Sequence, residues 1–138
     1  MNKKGFTLVE VLVAIIIVGI ALVSLIAANS SFTTTNGYGV ELSTSEFLLQ
    51  QIREMTTLTA YSDLHSFDEV VYNPPKNTSG EDLTDFRAFS QQITIENVSA
   101  SNFQTVVADS STPFVRVTVT IRLNSKPISS ASWIRASY

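Results

Sequence analysis

Cysteine is absent from the 138-residue chain, and histidine occurs once, at His65. No disulfide frame, thiolate zinc site or thiol nucleophile is therefore available, and an exported form must fold without covalent staples. A single histidine in a polar loop, near Asp63 and Asp68, offers neither a Ser-His-Asp triad nor the second nitrogen or sulfur ligand of a zinc site. Charge is scarce as well: 15% of residues are charged and the formal net charge is -3. That balance excludes the basic face of a direct nucleic-acid binder. No glycine-rich loop is spaced to cradle phosphate. The chain carries no constellation for an enzyme, and no cofactor or metal is expected.

Apolar residues are what the chain has in excess, and they are concentrated before Ala28. From Val11 the sequence reads VLVAIIIVGIALVSLIAA, broken only by Gly19 and Ser24 and free of proline. As a helix, Phe6 to Ala28 extends about 34 Å, enough to cross a hydrocarbon core of ~30 Å. Lys3 and Lys4 flank its short side, which places the N-terminus in the cytoplasm and the C-terminal part outside it, as a single pass. A cleaved secretory signal fits poorly. Leu25 and Ile26 stand two residues before Ala27 and Ala28, where a small residue is wanted, and Glu10 sits inside the apolar stretch. That glutamate is the anomaly. A charge deep in a bilayer costs roughly 2.5–3.5 kcal/mol on insertion scales, so it needs a partner or a function.

The segment KKGFTLVEVLVAI, Lys3 to Ile15, resembles the N-terminal signature of type IV prepilins and of type II secretion pseudopilins. The resemblance implies a leader, residues 1–5, cut after Gly5 on the cytoplasmic side by a prepilin peptidase. Phe6 then becomes the N-methylated first residue, and Glu10 the assembly glutamate, fifth in the mature chain. Cleavage before the apolar segment leaves the anchor attached. The α-amino group of Phe6 is largely protonated at neutral pH and lies one helical turn from Glu10. Two pairings are open: a private one within the chain, and one between Glu10 and the Phe6 amine of a neighbouring subunit, which fixes packing register because an unpaired carboxylate is costly in low dielectric. The implied partners are other pilins or pseudopilins, the peptidase and the inner membrane.

Residues 29–58 continue the N-terminal helix in this family. Here Asn29 to Gly39, NSSFTTTNGYG, is poor helix material, with three successive threonines and two glycines, so a weak or bent stretch is expected. Beyond it Ser45, Leu48, Ile52 and Met55 share one face, which predicts helix to about Leu58. Residues 59–88 read as a loop region punctuated by Pro74-Pro75 and Ser79-Gly80. Its Glu81, Asp82 and Asp85 lack the EF-hand spacing and read as a solvated acidic turn, with calcium binding left open.

Strands follow over residues 89–138. Phe89, Gln91, Ile93 and Ile95 alternate with polar residues. In PFVRVTVTIRL the residues Val115, Val117, Val119, Ile121 and Leu123 face one way, as in a half-buried antiparallel strand. NSKP then reads as a turn into a last strand, Ile128 to Ala136, with Trp133 as a core or edge contact, and Phe103–Ala108 as a further short strand. The expected class is α+β and pilin-like: a long N-terminal helix, transmembrane in its first half, packed on an antiparallel sheet of about three to four strands. Order and spacing in this C-terminal part resemble the PilV-like minor pilins and I-type pseudopilins. That resemblance implies a minor subunit of a pilus or secretion pseudopilus. The alternative is a membrane-anchored extracytoplasmic binding domain outside any filament.

Overall fold

The structure, a computed structural model, describes residues 5, 7–108 and 111–137. It divides into two compact units, Met1–Val40 and Glu41–Tyr138. One helix, α1 (Leu8–Leu58), contributes to both. Four strands follow: β1 (Val71–Tyr72), β2 (Phe89–Asn97), β3 (Phe114–Leu123) and β4 (Lys126–Ala136), with short 3-10 helices at Tyr61–Phe67 and Thr84–Phe86.

In the first unit α1 carries its apolar side chains all round and buries none of them. No residue of its most apolar window is buried, as for a helix meant for lipid rather than for a protein core. Helix continues through Asn29–Gly39. Three threonine hydroxyls there donate back to the carbonyl four residues earlier: Thr33 to Asn29, Thr34 to Ser30 and Thr35 to Ser31, at 3.0, 3.0 and 2.9 Å. Ser24 does the same to Ile20 at 2.8 Å. These bonds satisfy polar groups inside the helix itself, at a small cost in helix stability.

In the second unit, residues 41–58 of α1 lie on the sheet through Ser45, Leu48, Leu49, Ile52 and Thr56. The sheet is antiparallel throughout, in the order β1-β2-β3-β4. Period-two alternation in β2 and β3 aims one set of side chains at the helix: Ile93, Ile95, Val115, Val117, Val119 and Ile121 are buried with Leu48, Ile52 and Leu64. Each such burial contributes roughly 1.5–3 kcal/mol. The opposite face is polar. It holds the Arg116–Glu96 ion pair at 2.6 Å and the hydroxyl pairs Thr118–Ser132 and Thr120–Ser130 at 2.9 and 3.1 Å.

The hairpin between β3 and β4 turns at Asn124-Ser125, both at positive φ (48° and 71°), between the paired residues Leu123 and Lys126. Two left-handed residues are what a tight two-residue turn demands, because its twist must match that of the strands. Strand β4 thus starts at Lys126, two residues before the position expected from sequence. Phe103–Ala108 forms no strand; it contributes the single bridge Val98–Val106. The loop region holds the two-residue β1, paired to Gln91 and Gln92.

Candidate functional site

The candidate site is the start of α1. The helix begins at Leu8, and Thr7 is its cap. The Thr7 hydroxyl accepts from the Glu10 backbone N–H at 3.3 Å, while the Glu10 carboxylate accepts from the Thr7 backbone N–H at 3.4 Å. Val11 N–H closes the first turn on the Thr7 carbonyl at 3.2 Å. This reciprocal arrangement is a capping box: two of the donors that every helix start leaves unpaired are satisfied by side chains. The negative charge also lies in the first turn, at the positive end of the helix dipole. Both cap bonds are long, so they hold the carboxylate loosely. No ion pair to Glu10 occurs among the described residues.

Glu10 opens a helical face that continues through Ala14 and Val18 at four-residue spacing, flanked by Val11 and Ile15; together they line a shallow apolar groove. Alanine between two larger residues lets another helix approach closely. Gly5 precedes the helix and is exposed. A Cβ built at Gly5 meets nothing within 4 Å, and its φ lies outside the left-handed range. Nothing in the described chain requires glycine at that position. Phe6, the expected new N-terminus, lies outside the described residues.

The cap is legible in the sequence. Thr7-Leu8-Val9-Glu10 has the spacing of a capping box directly before an apolar run. Sequence reading made Glu10 the assembly glutamate and gave it the Phe6 amine, of its own chain or of a neighbour, as partner. The structure gives it a local partner as well.

The other residues weighed from sequence fall elsewhere. His65 is exposed on the Tyr61–Phe67 helix. Asp82 pairs with Lys76 at 2.9 Å, and Glu81 accepts from the Asn77 side-chain amide at 3.0 Å. The turn between them closes at Gly80, whose φ of 81° favours glycine. Among the described residues no group of three or more His, Cys, Asp or Glu is placed to hold a metal ion.

Residues 1–26 match the family described as the prokaryotic N-terminal methylation motif. Neither the curated proteins nor the solved structures yield a match to the chain. The motif indicates prepilin processing of the type IV pilin kind. With the unburied apolar helix it supports membrane anchoring.

Proposed function

We propose that the chain is a minor pilin or pseudopilin of the PilV-like kind, a subunit that joins other pilins in a type IV pilus or related filament. A prepilin peptidase cuts between Gly5 and Phe6, and Phe6 is N-methylated. The observation that carries this reading is that the methylation motif of residues 1–26 runs into an apolar helix none of whose most apolar window is buried. A helix of that kind needs lipid before assembly and other helices after it.

The roles divide by position. Gly5 answers to the peptidase, since nothing among the described residues makes a demand there. Glu10 carries the charge that recruits the Phe6 amine of a neighbour, because its cap bonds to Thr7 are weak enough to yield to a cationic partner. Single-pass insertion with the N-terminus cytoplasmic follows from Lys3 and Lys4.

Intact mass of membrane-extracted protein tests the reading. Cells with active peptidase should yield a chain starting at a methylated Phe6, and peptidase deletion should yield the full chain. Gly5→Val should block the cut in cells that have the enzyme. A mass corresponding to residues 1–138 in peptidase-active cells overturns the proposal and favours the anchored binding domain.

A further inference from the structure

The two edges of the sheet are finished differently. Beyond β2 the edge is closed: β1 pairs with Gln91 and Gln92, the Val70 carbonyl takes the Ile93 N–H at 2.9 Å, and the Asp68 carboxylate takes the Ile95 N–H at 2.8 Å. The Val107 N–H then donates to the Asn97 carbonyl at 2.9 Å. Beyond β4 no strand pairs among the described residues. The Ser137 N–H donates to the Pro113 carbonyl at 2.9 Å, and the Val98 N–H donates to the Phe114 carbonyl at 3.0 Å. With the β3–β4 register, these bonds set the alternation. Trp133 and Arg135 turn their backbone groups to β3, while Ser130, Ser132, Ile134 and Ala136 turn theirs outward, with no backbone partner among the described residues.

Such an edge is normally blunted. The devices present on β4, Lys126, Pro127 and the irregularity at Ile121/Arg122, all sit at its beginning. From Ser129 to Ala136 there is no proline, and the one charge, Arg135, is turned to the carbonyls of Thr56 and Thr57 at the end of α1. Along the open stretch Ser130, Ser132 and Ile134 are exposed. Beside it runs one flank of α1. Glu46 there is already bound to the Ser129 hydroxyl at 2.7 Å. Arg53 is exposed and lies over the Trp133 ring at 5.9 Å, with no carboxylate partner among the described residues.

We propose that the outer edge of β4 accepts an extended strand from a different protein, one that carries a carboxylate at the position opposite Trp133, where it meets Arg53. An added strand lies about 4.8 Å further out, and its residue opposite Trp133 points to the same face as that indole, toward α1. The backbone row supplies affinity and Arg53 supplies register. A second copy of this chain fits poorly. Its opposite edge is closed, and its own β4, Lys126–Ala136, holds no carboxylate that could meet Arg53 in β4–β4 pairing.

The test uses the full chain in mild detergent and two synthetic nonapeptides of alternating threonine and valine, one with a central glutamate and one with a central lysine. Amide hydrogen exchange is followed by NMR. The glutamate peptide should slow exchange at Ser132 and Ile134 while leaving Gln91 and Ile93 unchanged. The lysine peptide should bind about two- to five-fold more weakly, the range of an exposed ion pair, and Arg53→Gln should erase that difference. Ser132→Pro removes an outward N–H, and Ile134→Lys blocks the edge without altering the backbone; either should abolish the protection with both peptides. Protection that survives both variants, or no protection at all, overturns the proposal. Protection that rises with protein concentration without peptide, together with a dimer mass in sedimentation, overturns it in favour of a second copy.

Discussion

The Gln91 side chain donates to the Leu48 carbonyl at 3.0 Å, joining the sheet to the helix across 43 residues of sequence. The same amide donates to the Lys76 carbonyl at 3.0 Å and accepts from the Lys76 N–H at 2.7 Å. One buried glutamine therefore ties together α1, β2 and the loop before the acidic turn. It sits on the inward side of β2, in the register of Ile93 and Ile95, with no solvent to replace a lost bond. Both backbone groups of Lys76 depend on it.

Replacing Gln91 should thus cost more than its bonds contribute, because partners are left unpaired in a dry place. Gln91→Leu keeps the volume roughly and the apolar character of its neighbours, yet should destabilise the second unit by about 1–3 kcal/mol. Urea denaturation of the full chain in mild detergent, followed by the Trp133 fluorescence, measures this. A change of no more than about 0.5 kcal/mol, the range of an inconsequential surface substitution, would mean that water takes over the bonds.

Arg135 closes the other end of the helix. No basic residue stands in the last turn of α1, and strand β4 supplies one instead. The Arg135 guanidinium donates to the carbonyls of Thr56, Thr57 and Thr59, the last two at 3.1 and 3.4 Å. These carbonyls have no partner further along the helix, and they form its negative end. Arg135→Met preserves much of the stem packing and removes the donors. It should lower stability by about 1–2 kcal/mol and raise amide exchange in residues 55–58 ahead of the strands. Arg135→Lys should recover only part of the loss, since an ammonium cannot fork across three carbonyls.

Sequence reading succeeded where one period governs many residues. Val115 to Ile121 could only be a strand buried on one side, and Leu48, Ile52 and Met55 could only share a helix face. It failed where structure rests on few residues or on distant partners. Val71-Tyr72 is too short to show a period. Nothing local marks Arg135 as the cap of a helix ending at Leu58. The Phe103–Ala108 stretch alternates too weakly to compete with its own turn, in which the Asn102 side chain takes the N–H groups of Gln104 and Thr105, both at 3.1 Å. At the N-terminus the anomaly of Glu10 was plain, and its capping partner stood three residues away.

The β3–β4 hairpin can be improved on the same reasoning. Ser125 holds φ at 71°, a conformation that costs a residue with a Cβ about 1–2 kcal/mol. Asn124 before it tolerates the left-handed region better. Ser125→Gly creates the Asn-Gly pair that such turns prefer, and should raise stability by about 0.5–1 kcal/mol after glycine's entropy in the unfolded chain is subtracted. The Arg122 bond to the Ser125 carbonyl, at 3.3 Å, uses the backbone and should survive. A higher thermal midpoint with unchanged circular dichroism is the expected result.

Glu10 is where the local and the intersubunit readings separate. Within the chain its carboxylate serves as the return half of the Thr7 capping box; between chains it is proposed to receive the Phe6 amine of a neighbour. Glu10→Gln keeps the cap, because an amide oxygen can still accept from the Thr7 N–H, and removes only the charge. Glu10→Ala removes both. If the cap is what matters, Gln should behave as wild type and Ala should fray the first turn of α1. If recruitment by charge is what matters, both variants should be cut after Gly5 and accumulate in the membrane as processed subunits, yet be missing from sheared filaments. Insertion should be unharmed or better in each, since a costly carboxylate is gone. Immunoblots of membrane and filament fractions decide between these outcomes, because bulk filament yield can stay normal when a minor subunit is lost. We expect the second pattern, with Gln excluded as fully as Ala. Thr7→Val is the converse control: it removes the hydroxyl half of the cap, leaves the charge, and should still enter filaments.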